Sequence, residues 1–261
     1  MTVLIDVTPA GNALNRWAQH RAAAARIDLD ELAAKLVGGR GAHLLVVGAH
    51  PDDETLGLGR LIHRWSHSQG SVSTVVATAG EACLDHVGVR IAGLADSRMA
   101  EWAAATTILG VDDRHALGLA DSSLADMQPR LYAALDEVLR RRIESADKIL
   151  LATPWRRDPH PDHRVVGRAV HKLGHRYGIP VLEFGVWMTY WSDPDDVEED
   201  GRQLLVLTTD EPDEHAFQEA CAQFRSQLRP LAPGLRAVVP PAMLAHLSEQ
   251  LLLLPQEKGR R

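Results

Sequence analysis

The chain has 261 residues, with 28 Lys and Arg against 35 Asp and Glu and a formal net charge of −7. That balance leaves no basic excess to hold a phosphate backbone or an anionic membrane surface, so nucleic acid is excluded as an expected partner. Apolar residues at 45% and charged residues at 24% are values of a soluble globular chain, and no apolar run approaches the ~18 residues of a membrane span.

Met1 to Trp17 carries no basic segment ahead of a continuous apolar stretch, so no secretory signal and a cytoplasmic location are expected. Asn15–Leu36 reads as one or two helices. Short β-branched or Leu-rich runs then alternate with helical patterns, which predicts an α/β fold of Rossmann-like type, a mostly parallel sheet flanked by helices. The expected strands are His43–Gly48, Val72–Thr78, His115–Gly118, Lys148–Thr153, Val181–Trp187 and Leu204–Thr208. Most are apolar throughout, as in a sheet covered on both faces. In Glu54–Ser68 the residues Leu58, Leu61, Ile62 and Trp65 repeat at helical spacing; Ala95–Leu109, Pro129–Glu144 and Arg164–Tyr177 are the other central helices. Asp193–Asp200 holds six acidic residues and no basic one and reads as a solvated loop. Gln203–Thr208 is expected at a sheet edge, Pro212–Leu228 as a helix, and the tail after Pro240 as helical to Leu253. No repeat or linker divides the chain, so residues 1–261 are expected to form one domain. Cys83 and Cys221 are too few for a disulfide framework or a thiolate metal site and are expected to be reduced, partly buried thiols.

Two polar clusters carry the chemistry. AHPDDE, Ala49 to Glu54, ends the first long strand and starts the following helix, the position where open α/β sheets bind ligands. A helix cap by Asp52 or Asp53 would account for one carboxylate but not for His50 and the second Asp. HPDH, His160 to His163, stands just past another strand end, so it can converge with the first cluster. Imidazole and carboxylate suit zinc or another borderline divalent ion, and three protein ligands with an open position describe a catalytic site.

Together, AHPDDE and HPDH resemble the LmbE-like, PIG-L family of metal-dependent N-acetylglucosamine de-N-acetylases, which includes mycothiol- and bacillithiol-pathway enzymes and glycopeptide pseudoaglycone deacetylases. The likeness is close over Leu44 to Arg168 and extends to Arg98 and Glu101, to Gly118–Leu124 (GLADSSL) and to Phe224–Leu228 (FRSQL). It implies an LmbE-like fold, with His50, Asp53 and His163 as metal ligands and Asp52 as general base. It further implies that His160 stabilises the oxyanion or protonates the leaving amine, that Asp162 orients His160, and that Arg98 and Asp121 contact sugar hydroxyls. The implied cofactor is Zn²⁺, with Fe²⁺ or another divalent ion as the cellular alternative. The implied partner is a small-molecule N-acetylglucosaminide, and a homo-oligomer is open. One departure is Asp158–Pro159, where some sugar–inositol deacetylases have Tyr–Gly.

These roles suit amide hydrolysis: a metal-activated water, a carboxylate to take its proton, and an imidazolium at His160 facing the oxyanion. Two other readings share the residues. A non-haem Fe(II) oxygenase also uses two His and one carboxylate, although it does not need the second Asp. A silent sugar-binding module could retain the fold without catalysis. The pairs His63/His67 and His171/His175 have ligand spacing on helices but lack a zincin glutamate, and are expected to be solvated. Gly57 and Gly59 are expected to serve close helix packing. Trp155, Trp187 and Trp191 could stack on a sugar or lipid, or simply pack.

Overall fold

A computed structural model describes residues 13–256; most of the Met1–Trp17 stretch read for a signal lies outside them. The described chain forms α1 (Ala13–Ala23), β1 (Ala25–Ile27), α2 (Leu29–Val37), β2 (His43–Gly48), α3 (Asp53–Ser68), β3 (Val72–Thr78), α4 (Leu94–Ile108), β4 (Asp113–Leu119) and α5 (Gln128–Ile143). It continues through β5 (Ile149–Pro154), α6 (Pro161–Tyr177), β6 (Val181–Phe184), α7 (Met188–Trp191), α8 (Pro194–Glu199), β7 (Arg202–Leu207), α9 (Glu211–Cys221), α10 (Arg225–Leu228), α11 (Pro241–His246) and β8 (Leu251–Pro255).

One sheet joins these strands in the order β1-β7-β8-β6-β5-β2-β3-β4. All pairings are parallel except those of β8, which runs antiparallel to both β6 and β7. From β2 the chain moves outward to β3 and β4, then returns to lay β5 and β6 on the other side of β2. The order therefore reverses between β2 and β5, and the crevice beyond their carboxyl ends is where such sheets take ligands.

The central strands are apolar throughout because helices cover both faces. On β2, Leu44 and Val46 join the cluster beneath α2, α3 and α9. Leu45 and Val47 enter the opposite cluster with Leu135 of α5 and Val170 of α6. Gly57 is required by this packing: a Cβ there would lie 2.2 Å from the Phe184 ring. Gly59 faces Phe217 in the same way, so both glycines serve close approach, as expected.

Several expected elements change. The opening helical stretch is split by β1, after which Asp28 caps α2 by accepting from the Glu31 N–H at 2.8 Å. The acidic run folds as α8, not as a loop. Asp193, Asp195 and Asp196 sit where a helix N-terminus favours carboxylates, with Asp193 and Asp196 forming a reciprocal capping box. β6 ends at Phe184, three residues before Trp187. β7 is interior, because β1 and β8 flank it. The expected helix over 212–228 breaks into α9 and α10. The tail expected to be helical ends α11 at His246, and the four leucines Leu251–Leu254 form β8, all buried.

Candidate active site

The first cluster is built by an unusual turn. Asp52 stands at the N-cap position of α3 with φ 149°, ψ −22°, and makes no capping bond. Such a backbone in a non-glycine residue costs on the order of 1–3 kcal/mol and is kept where surroundings impose it. Here it turns the carboxylate away from the helix toward Arg98, whose Nη2 donates to Asp52 Oδ1 at 3.2 Å. Asp53 faces the other way: its Oδ2 accepts from the N–H groups of Ala49 and His50, at 2.8 and 2.9 Å. The capping explanation for these carboxylates is thereby removed.

The second cluster closes on the first. His163 Nε2 lies 3.3 Å from His50 Nδ1 and 3.1 Å from Asp53 Oδ1, and His50 Nδ1 lies 3.6 Å from Asp53 Oδ2. Donor atoms around one tetrahedral zinc with ~2.0–2.1 Å bonds stand roughly 3.3 Å apart; His163 Nε2 keeps that spacing to His50 Nδ1 and to Asp53 Oδ1, while His50 Nδ1 approaches the other Asp53 oxygen. The other ring nitrogens are held by carboxylates. His50 Nε2 is 3.1 Å from Asp121 Oδ1 and 3.5 Å from Asp162 Oδ2, while His163 Nδ1 is 3.3 Å from Asp158 Oδ1. Donor atoms of His50, His160 and His163, and of His50, Asp121 and Asp162, also lie within 4.8 Å of one another.

The electrostatics favour positive charge. Burial works against a protonated His163, but Asp53 and Asp158 outweigh it and push the ring up to about 9. Burial likewise opposes charge on His50, and Asp121, Asp162 and Asp53 still raise it well above an ordinary histidine. Asp53 is held well below the usual carboxylate range, because His163 and His50 overcome its burial. Asp52 differs from its neighbour: burial lifts it to about 6, with Arg98 pulling the other way.

His160 differs from the other two histidines. Burial, together with repulsion from His163 and His50, lowers it well below the ordinary value. Its Nδ1 accepts from the Asp162 backbone N–H at 3.3 Å, which leaves the proton on Nε2. Asp162 therefore orients His160 through its backbone, and its carboxylate serves His50 and the Ser122 N–H instead.

Arg98 and Asp121 both line the cavity over this cluster; Arg98 Nη1 and Nη2 and both Asp121 carboxylate oxygens are engaged within the protein, while Arg98 Nε is buried without a partner. Arg98 is buried and also donates to the carbonyls of Gly80 (2.7 Å) and Pro51 (3.2 Å). A Cβ on Gly80 would lie 2.1 Å from Arg98 Nη1, so that approach needs glycine. Asp121 accepts from the N–H groups of Ala82 and Ser122, each at 2.8 Å. Glu101, on the same helix as Arg98, accepts from the Ser226 N–H and hydroxyl at 2.9 and 2.6 Å. This ties FRSQL to α4 and brings Gln227 to the cavity.

Asp158 is the residue that sequence reasoning missed. It is fully buried, and besides facing His163 it accepts from the His160 N–H at 2.9 Å. Its place in D-P-H-P-D-H was the available signal. The histidine pairs divide: His63 contacts Asp213 at 2.9 Å and His171 contacts the buried Glu183 at 2.9 Å, so both are half-buried structural groups, while His67 and His175 are exposed. Trp155 is core, with its Nε1 donating to Asp200 at 2.9 Å. Trp187 lines the cavity and stacks on Trp191 at 4.0 Å between ring centres. Cys83 is half-buried and Cys221 buried, the latter thiol pushed up by burial to about 12.

The chain is 31% identical over 193 residues to the 1D-myo-inositol 2-acetamido-2-deoxy-alpha-D-glucopyranoside deacetylase of Salinispora arenicola, covering 65% of this chain and 62% of that one. It is also 31% identical to an uncharacterized deacetylase of Escherichia coli, over 48% of this chain and 64% of that one. The chain thus spans less than two thirds of the length of these curated relatives. Among solved structures, an antimicrobial pseudoaglycone deacetylase superposes with TM-score 0.58 at 20% identity, over 80% of this chain and 95% of that one. A conserved protein of Thermus thermophilus superposes with TM-score 0.52 at 25% identity, over 78% of this chain and 84% of that one. The sequence profile of the GlcNAc-PI de-N-acetylase family, PIG-L, matches residues 45–173, just under half of the chain.

Proposed function

We propose that the chain, acting as one domain, is a zinc-dependent hydrolase that removes the acetyl group from an N-acetylglucosaminyl moiety of a small glycoconjugate. The observation that carries this reading is the convergence of His50 Nδ1, His163 Nε2 and Asp53 within 3.1–3.6 Å, beside an Asp52 that is held apart by Arg98. The names of the curated relatives, deacetylases of a glucosaminyl inositol, support the substrate class at the sugar end.

In this reading His50, Asp53 and His163 hold the ion, which when bound supplies Lewis acidity to the acetyl carbonyl and lowers the pKa of water. Asp121 on His50 Nε2 and Asp158 on His163 Nδ1 keep the facing nitrogens free to ligate. Asp52, buried and near neutrality, takes the proton of the attacking water. Arg98 fixes the direction of that carboxylate. His160 presents a neutral Nε2–H, which suits oxyanion stabilisation rather than delivery of a proton from an imidazolium. The second aspartate favours hydrolysis over an oxygenase role.

The test is acetate release from a panel of N-acetylglucosaminides, with metal content measured on the same preparation. One divalent ion per chain, and activity lost on chelation and restored by Zn²⁺, is the expected result. Undiminished release by metal-free protein, or no release from any glycoside, overturns it.

A further inference from the structure

The cavity over the site has two walls of unlike chemistry. Besides its histidines and aspartates, the cavity is lined by Leu56, Val186, Trp187, Val238 and Val239. We propose that this apolar wall receives the group attached to the sugar, and that this group is hydrocarbon or aromatic rather than polyhydroxylated. The inference rests on the deacetylase reading for the sugar end and on the cavity lining for the rest.

Both walls bound one cavity, so a ligand whose amide reaches Asp52 lays its remainder along residues 186–187 and 238–239. On this side the polar atoms are few: Gln227 donates its Nε2 to Ser226 Oγ at 3.0 Å and leaves one buried acceptor, Oε1, without a partner, and the Cys83 sulfur is a weak partner. A polyol placed there would find one free acceptor for several hydroxyls, and unpaired buried hydroxyls are what sites reject most strongly. An alkyl or aryl group instead meets the Trp187 ring, held flat by stacking on Trp191 with 9° between planes. Four of the five apolar lining residues lie beyond the 45–173 segment that the family profile matches. This part of the site is therefore not fixed by what the matched segment shares with relatives that act on inositol glycosides.

The experiment is equilibrium binding of three N-acetylglucosaminides, with methyl, hexyl and myo-inositol aglycones, to the metal-loaded Asp52→Asn protein, so that turnover does not deplete the ligand. The hexyl glycoside should bind at least tenfold more tightly than either other ligand. Trp187→Ala added to that protein should erase most of the hexyl-to-methyl ratio while changing methyl binding less than threefold. Val238→Thr, a milder change on a half-buried segment, should reduce the same ratio and covers the case in which the tryptophan variant does not fold. Equal affinity for hexyl and methyl, tighter binding of the inositol glycoside, or a ratio unmoved by both substitutions overturns the proposal. Acetate release by the unsubstituted protein is scored separately, so the chemistry can fail while the apolar wall stands, or the reverse.

Discussion

The two walls of the cavity come from two differently built parts of the molecule. The polar wall stands on the carboxyl ends of neighbouring parallel strands, β2 and β5, where a reversal of strand order opens a crevice. Most of the apolar wall comes from residues 186–187 and 238–239, short segments around α7 and α11 beside the antiparallel strand β8. A parallel crevice puts polar side chains and free helix N-termini together, which suits chemistry that recurs across relatives. Short irregular segments packed on such a frame change shape at small cost to the core and suit selection of what is attached to the reacting group. The first part should therefore govern metal and rate, and the second should govern discrimination.

The largest effect expected is in the polar wall. Asp53→Ala removes the carboxylate nearest both facing imidazole nitrogens, so bound metal should fall from about one ion per chain to near none, with hydrolysis of every glycoside lost together. Metal analysis on the purified variant checks it, and retained metal would move the ligand role away from Asp53. Asp52→Asn keeps shape but cannot take a proton. It should retain metal and slow hydrolysis by at least ~100-fold, equally for apolar and polar aglycones. A slowing that depends on the aglycone would blur the division between the walls.

The difference between the two parts also governed what could be read from sequence. The polar clusters were legible because buried His and Asp at strand ends have few structural uses, and β2, β3 and β5 were legible as continuous apolar runs bounded by turns. The later part gave weaker signals. Leu251–Leu254 fits a buried helix or a buried strand equally, since an all-leucine run has no period; the open ladder positions between β6 and β7 decide the matter. β1 is three residues long, too short for alternation to show. In α8 the acidic charge suggested solvent, although Pro194 at the first turn and the Asp193–Asp196 spacing are helix-start features. Asp158 was visible only as a departure from a related pattern, because contact with His163 depends on the turn 155–160 folding back under α6.

That contact gives the next prediction in size. Asp158→Asn keeps volume but weakens the acceptor facing His163 Nδ1, and loss of such a partner typically costs 10–100-fold in metal affinity. Competition with a chromophoric chelator should show a drop in that range, and Asp158→Glu should recover part of it. Aglycone discrimination should not move, because Asp158 lies beneath the polar wall alone. Unchanged metal affinity in Asp158→Asn would reduce this carboxylate to a turn-former through its bond to the His160 N–H.

The smallest expected effect belongs to the frame beneath both walls. His43 opens β2, buried, with Nδ1 2.6 Å from Ser71 Oγ. Burial lowers it to about 4, and Arg142 adds to the lowering. An unfolded histidine titrates near 6.5, so above about pH 6.5 both states are neutral at this residue and it adds no pH dependence. Between that pH and about 4 the unfolded chain takes up a proton that the folded chain refuses, and stability falls as pH falls. By pH 5 this residue alone should account for at most about 2 kcal/mol. Denaturant titrations at pH 7 and pH 5 should show the loss in the unsubstituted protein and a smaller one in His43→Gln, which cannot titrate. The same slope in both proteins would mean that the acid sensitivity comes from elsewhere, the ion-paired histidines and carboxylates of the polar wall being the first place to look.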